Sequence, residues 1–270
     1  MALALCPDCG SDDIDLMETL PDSRKHVVCL DCKHDWLRGD PVSQPHPTSG
    51  YEVARRRFLS ISAATPERIA RVKVLRDQFL VRRPEVDSQV TAYWRRYQGI
   101  FTADGLQDAA PHDLKDFANT STGANPGNMS VFNRTWNDLP IHEATQRVRD
   151  TVQYLLHGPT QIPLEDRLTQ LIRGDGGLGM KGFRESLLTK VLCITQPDRF
   201  LPILVYTGFA GKKEIAEAVF GVLLPRPEAT SMTPGRLVVW SNDLLLQMVG
   251  SDFPSLQHAS QFLWWAKDQP

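Results

Sequence analysis

Four cysteines near the start of the chain constrain its fold more than any other feature. They form two Cys-x-x-Cys pairs, Cys6 with Cys9 and Cys29 with Cys32, and nineteen residues separate the pairs. This spacing is typical of a zinc site in which two tight turns supply four thiolates to one ion. Because four thiolates leave no open position on the metal, the Zn2+ would be structural. The sequence therefore predicts a zinc ribbon over residues 1–38, with a β-strand over residues 25–30.

The use of cysteine also indicates the compartment. Two disulfides are the alternative arrangement, but they would require an oxidising environment, and residues 1–5 lack the basic region of a secretion signal. The fifth cysteine, Cys193, lies in an apolar helical pattern and is predicted to be a buried free thiol. No apolar run approaches membrane-spanning length. We therefore expect a cytoplasmic protein with no membrane partner.

The rest of the chain predicts a linker followed by helices. With 270 residues and a net charge of −2, the chain has room for the ribbon and one ordinary domain. Residues 39–65 are predicted to be a linker, because residues 39–50 contain three prolines and no apolar run. Residues 66–270 are predicted to form an all-helical body, in which only residues 200–206 offer a further strand candidate. The predicted fold class is mainly α.

Local signals place several helices. Thr65 before Pro66 predicts an N-cap and a first-turn proline, and Ile69, Val72 and Phe79 follow at helical spacing. Further helices are predicted over residues 86–101, 212–224, 236–249 and 255–267.

Arginine is concentrated between residues 55 and 96, where eleven basic residues face four acidic ones. Arginine binds phosphate in a bidentate manner and stacks on bases. Tyr93, Trp94 and Tyr97 are interleaved with these charges. A solvated helix face without a ligand is the alternative. The predicted DNA contacts in this segment are Arg55, Arg56, Arg57, Arg68, Arg71, Arg95 and Arg96.

A glycine-rich turn separates two predicted helices at residues 174–182. Such a turn presents backbone N–H groups and a helix N-terminus, which together favour an anion such as a DNA phosphate. We expect contacts from Gly179, Lys181 and Gly182, in the manner of a helix-hairpin-helix element that holds the DNA backbone without reading sequence. The alternative is a tight connection whose glycines only permit close packing.

Another candidate group follows a polar, glycine-bearing loop at residues 119–128, which we expect either to bind a ligand or to be disordered. Asn133 and Arg134 carry amide and guanidinium groups that suit hydrogen bonds to base edges. Phe132 and Trp136 are four residues apart on a predicted helix, so we expect them in the core. The sequence therefore adds Asn133 and Arg134 to the predicted DNA contacts.

Part of the body resembles a known family. Residues 182–190 (GFRESLLTK) and 197–203 (PDRFLPI) resemble a stretch in the N-terminal DNA-recognition regions of McrB-like proteins of the McrBC type, which are modification-dependent restriction proteins. The resemblance covers residues 132–267 and leaves the ribbon as an added front module. It implies binding of modified double-stranded DNA in restriction or phage defence. An AAA+ motor or nuclease would lie downstream or on a partner, since this sequence contains no Walker motif.

Two alternative functions remain open. The same turn also resembles helix-hairpin-helix DNA glycosylases, for which Asp198 and Lys190 are the nearest catalytic candidates. The other alternative is a zinc-ribbon adaptor that binds proteins through the ribbon and the tryptophans at 264–265, which cannot both face one core. No pairing of nucleophile and base is evident, and the seven histidines are scattered. The sequence thus favours a non-catalytic DNA-binding protein.

Overall fold

A computed structural model describes residues 14–21, 25–30, 35–38, 64–83, 88–209, 211–227 and 232–269. The chain divides into two compact units. The first comprises Met1–Ser60 with Pro225–Thr233, and the second comprises Ile61–Leu224 with Pro234–Pro270. The boundaries of ribbon, linker and body drawn from the sequence stay predictions, because residues 39–63 lie outside the described ranges.

The first unit contains a small antiparallel sheet. Its strands are β1 (Ile14–Thr19), β2 (Lys25–Cys29) and β3 (Asp35–Arg38), in the order β1-β2-β3. Val27 and Cys29 are buried, as the two-residue period of a strand requires for one face. The strand predicted over residues 25–30 is therefore confirmed.

His26 links the three strands of this sheet. Its Nε2 lies 2.8 Å from Oδ2 of Asp35, and its Nδ1 lies 3.5 Å from Oε1 of Glu18. The hydrogen bond to Asp35 is the main cause that raises the pKa of His26. The charged imidazole therefore favours the paired arrangement of these strands at acidic pH.

The second unit is helical, so the coarse prediction of a mainly helical chain with a small antiparallel sheet is confirmed. Its helices are α1 (Pro66–Arg82), α2 (Ser88–Ile100), α3 (Ala103–Asp108), α4 (Pro111–Asn119), α5 (Ser130–Asp138), α6 (Ile141–His157), α7 (Leu164–Arg173), α8 (Glu185–Thr195), α9 (Lys212–Ile215), α10 (Pro234–Val249) and α11 (Leu256–Lys267). No helix among the described residues is long and apolar enough to cross a membrane.

The start of α1 confirms the local signals but not the whole apolar stripe. The hydroxyl of Thr65 accepts a hydrogen bond from the backbone N–H of Arg68 at 3.3 Å, and Pro66 occupies the first turn. Val72 and Phe79 are buried, whereas Ile69 is 48% exposed. Ile69 therefore follows the helical spacing without joining the buried stripe, because the first turn of the helix is exposed.

Aromatic contacts join helices that are distant in sequence. Phe79 of α1 packs against Phe262 and Trp265 of α11, with ring centroids 5.7 Å apart in both pairs. Tyr97 of α2 packs against Phe117 of α4 at 5.1 Å. Such pairs stabilise a fold by about 0.5–1.5 kcal/mol beyond the burial of their area.

Two predicted elements differ in the structure. Residues 200–206 form no strand; they are a buried irregular segment in which Pro202 has no N–H to donate to a ladder. The helix predicted over residues 212–224 begins at Lys212 but continues as a π-helical turn over Ala216–Phe220. It ends at Gly221, whose φ of +71° is the left-handed conformation that commonly terminates helices.

Candidate nucleic-acid interface and adjoining cavity

Only part of the arginine-rich segment remains available for a ligand. Arg68 on α1 and Arg95 on α2 are exposed and form no ion pair with any described residue. Three further candidates, Arg55, Arg56 and Arg57, lie outside the described residues.

Arg71 and Arg96 are engaged within the fold. Nη2 of Arg71 donates to the backbone oxygen of Gln269 at 2.7 Å. Arg96 pairs with Asp113 and lies over the ring of Tyr97, 5.4 Å from its centroid. A phosphate would have to compete with Asp113 for Arg96. The main role of Arg71 and Arg96 is therefore to stabilise the fold.

The aromatic residues interleaved with these arginines face inward. Trp94 and Tyr97 are 8% and 0% exposed, and Tyr97 donates from its hydroxyl to the backbone oxygen of Asp113 at 2.9 Å. They therefore form part of the core and do not provide a stacking surface for bases.

The glycines of the glycine-rich turn shape the connection between α7 and α8. Gly174 ends α7 in the left-handed conformation, and Asp175–Gly177 form a short 3-10 turn. Gly179 and Gly182 also have positive φ angles. A Cβ placed on Gly182 would lie 2.4 Å from the backbone nitrogen of Phe132, so this glycine permits a close approach of two backbones.

A carboxylate already lies near the N-terminus of α8. Glu185 is the first residue of that helix, and its Oε1 accepts a hydrogen bond from the backbone N–H of Tyr206 at 2.6 Å. Burial raises the pKa of Glu185. This acidic group makes the helix end less favourable for a phosphate than the sequence predicts.

The contact between Gly182 and Phe132 brings two predicted groups of residues together. Lys181 precedes Gly182, and Arg134 lies two residues after Phe132 in α5. Lys181 and Arg134 are both exposed and have no partner among the described residues. Two basic side chains far apart in sequence therefore lie on adjoining segments.

The asparagines near Arg134 have structural partners. The side-chain amides of Asn133 and Asn119 exchange two hydrogen bonds, of 2.6 and 3.0 Å, which tie α5 to α4. The expectation that Phe132 and Trp136 are core residues is confirmed, with exposures of 0% and 3%.

An open cavity of about 670 Å3 lies in the same unit. Its walls come from α2, the loop after α4, the start of α8, the irregular segment before α9, and α11. The lining residues are Gln89, Val90, Ser121, Thr122, Gly123, Ala124, Asn125, Pro126, Gly127, Ser186, Pro202, Leu204, Val205, Gln257, Ser260, Gln261 and Trp264. None of these described lining residues is charged.

One wall of the cavity is held by a buried lysine. Lys190 of α8 donates from Nζ to the backbone oxygens of Phe117, at 2.9 Å, and Thr120. These carbonyls lie where α4 passes into the loop that lines the cavity. Burial lowers the pKa of Lys190 to about 7.

A second wall is held by side chains from two helices, α9 and α10. Asn242 of α10 accepts from the N–H of Leu201 at 2.9 Å and donates to the backbone oxygen of Arg199 at 2.8 Å. Lys212 donates to the backbone oxygen of Ile203, and burial lowers its pKa to about 8. These bonds explain how an irregular segment can be buried, because its backbone groups are satisfied without a strand partner.

The residues considered for glycosylase chemistry have different surroundings. Lys190 is buried with its amine on two carbonyls, whereas Asp198 is exposed in the turn after α8. Cys193 is a buried free thiol as predicted, and burial raises its pKa to about 12.

The zinc prediction falls mostly outside the described ranges. Cys29 is buried at the end of β2, whereas Cys6, Cys9 and Cys32 are not among the described residues. Within the part of the chain that the structure describes, no group of three histidine, cysteine or acidic side chains could hold a metal ion.

Sequence reasoning missed most of the cavity. It indicated the loop at residues 119–128 and an outward-facing tryptophan at 264 or 265, and Trp264 does line the cavity. Gln257, Gln261 and Trp264 are spaced i, i+4 and i+7, so they share one face of α11. This polar face with a tryptophan was the signal available in the sequence.

Comparison with known proteins finds no matching family model, no similar curated protein and no similar solved structure.

Proposed function

We propose that this chain is a non-catalytic DNA-recognition module. The observation that supports the proposal best is the packing of Gly182 against Phe132. That packing brings together the segments that carry Lys181 and Arg134, and both side chains are exposed without a partner among the described residues. Exposed basic side chains without an ion pair bind phosphates of the DNA backbone, and Arg68 and Arg95, which are also exposed, are further candidate contacts.

Binding to a labelled DNA duplex, followed by fluorescence anisotropy at about 50 and 200 mM salt, tests the proposal. We expect the Arg134→Ala and Lys181→Ala changes each to weaken binding and to reduce the salt slope by about 0.9, the value for one lost phosphate contact.

Arg147→Ala is the matched control. Arg147 is exposed but pairs with Glu143 at 2.8 Å within α6, so its removal alters net charge equally. DNA affinity should be close to that of the unaltered protein. Absence of duplex binding at low salt would contradict the proposal and favour the adaptor. Equal loss in all three variants would contradict the interface through Lys181 and Arg134.

The McrB-like resemblance extends this proposal to modified DNA. Residues 182–190 and 197–203, which carry the resemblance, contribute Ser186 and Pro202 to the cavity wall. We propose a role in restriction or phage defence, with an AAA+ motor or a nuclease as the effector. The same anisotropy measurement with matched unmodified and base-modified duplexes tests it, and equal affinity for all duplexes would leave a general DNA-binding module.

We further propose that Cys6, Cys9, Cys29 and Cys32 hold a structural Zn2+. The spacing supports this, as does the burial of Cys29 where β2 ends beside a turn. Cys29→Ser should lose the bound zinc and unfold the small sheet while the helical unit keeps its thermal transition, because so small a sheet depends on its metal.

Zinc content measured by mass spectrometry, together with circular dichroism, follows both effects. Cys193→Ser is the control, since it makes the same chemical change at the buried thiol of α8. One zinc per chain in Cys29→Ser, or equal loss in Cys193→Ser, would argue against the four-cysteine site.

A further inference from the structure

We infer that the cavity beside α11 binds an uncharged planar heterocycle of the nucleobase type. Its volume of about 670 Å3 lies within the range of small-molecule sites. The loop at residues 121–127 and the segment at 202–205 form two of its walls, and both are held by the buried hydrogen bonds of Lys190 and Asn242. The site is therefore largely formed before a ligand arrives.

The chemistry of the cavity walls disfavours a charged ligand. The described lining side chains are amides, hydroxyls, small apolar groups and one indole. Two charged side chains that adjoin the walls are already engaged, since Glu185 accepts from the backbone of Tyr206 and Lys190 donates to two carbonyls. A phosphate or carboxylate would lose its hydration in this site without gaining an opposite charge.

An unsatisfied buried atom indicates what the ligand must offer. Gln257 is 5% exposed, and its Oε1 has no hydrogen-bond partner in the described structure. Because a buried acceptor without a donor is unfavourable, a ligand with an N–H edge would favour a rotation of the Gln257 amide that turns this oxygen from its buried position toward the cavity. An amide side chain offers an acceptor and a donor side by side, which is the pattern that matches a nucleobase edge.

Trp264 provides a flat aromatic surface for the ligand. Its indole lines the cavity from the same face of α11 as Gln257 and Gln261. Aromatic side chains hold bases by stacking irrespective of sequence. A flat ring with a hydrogen-bonding edge is therefore the ligand class that uses both the indole and the amides.

Such a heterocycle has two sources, a free nucleoside or a base turned out of a DNA strand. Calorimetry with adenosine, guanosine, cytidine and thymidine tests the first source. A duplex carrying 2-aminopurine opposite an abasic site tests the second, because its fluorescence rises when the base leaves the stack. Binding in either arm supports the site, and the arm that responds identifies the source.

Trp264→Ala should weaken binding in the responding arm at least about fivefold, the lower end for one stacked base. Gln257→Leu and the less buried Gln261→Leu should also weaken it, so a failure of one variant to fold does not end the test. Gln153→Leu on the exposed face of α6 is the control and should bind normally.

No response in either arm, or binding indifferent to Trp264→Ala and both glutamine changes, would overturn the inference. The nucleoside arm needs no DNA contact, so the site can fail while duplex binding through Arg134 and Lys181 persists. Conversely, duplex binding can fail while nucleosides still bind in the cavity, and that result would contradict only the proposed DNA interface.

Discussion

Gly182→Ala is expected to destabilise the helical unit by about 3 kcal/mol or more. The residue has a φ of +88°, which disfavours any side chain. Its new Cβ would also lie 2.4 Å from the nitrogen and 2.5 Å from the Cα of Phe132. These are backbone atoms of α5, so the clash cannot be relieved by a rotamer change. Chemical denaturation followed by circular dichroism measures the loss.

Gly176→Ala separates the two causes. Gly176 also has a positive φ, of +58°, but a Cβ there would meet open space. Its substitution should therefore cost only the left-handed backbone penalty of about 1–2 kcal/mol. Equal losses in the two variants would show that the close approach to α5 is not the reason why position 182 requires a glycine. DNA binding by folded Gly182→Ala should fall as well, because Lys181 would move away from α5.

The contrast between these glycines shows what the sequence could predict at this turn. The run of glycines indicates a tight connection between two helices, and the structure contains one. It does not indicate that Gly182 contacts a helix about fifty residues earlier in the chain. Such contacts depend on how helices pack, and local spacing holds no information about the partner.

The arginines show that the partners of charged side chains are equally hard to predict from the sequence. Their concentration between residues 55 and 96 is visible in the sequence, but their partners are not. Arg96 pairs with Asp113 and Arg71 with the backbone of Gln269, a residue almost two hundred positions away. Helix starts such as Thr65–Pro66 were predictable, because an N-cap acts within one turn.

The cavity is the least predictable feature because five separate segments build it. Each segment has an ordinary local pattern, and only their packing makes a shared space. Residues 200–206 suggested a strand because apolar residues dominate them. Their burial is instead made possible by Asn242, whose role cannot be inferred from a single asparagine within a predicted helix.

Asn242→Ala should therefore destabilise the helical unit by about 3 kcal/mol. The side chain is fully buried and serves both the N–H of Leu201 and the carbonyl of Arg199. Its removal leaves two backbone groups without partners, each costing about 1–3 kcal/mol when it cannot reach water. Denaturant titration measures the loss. Because Pro202 and Leu204 line the cavity, ligand binding there should weaken as well.

Asn137→Ala is the matched control for this prediction. Asn137 is exposed on α5, and its side chain accepts one hydrogen bond from Lys115 at 2.9 Å. Loss of that contact should change the unfolding free energy by no more than about 0.5 kcal/mol, since water can replace the bond. A similarly small change in Asn242→Ala would mean that the buried segment finds other partners. In that case Asn242 would not be the residue that holds this wall of the cavity, and the segment's irregular conformation would need another cause.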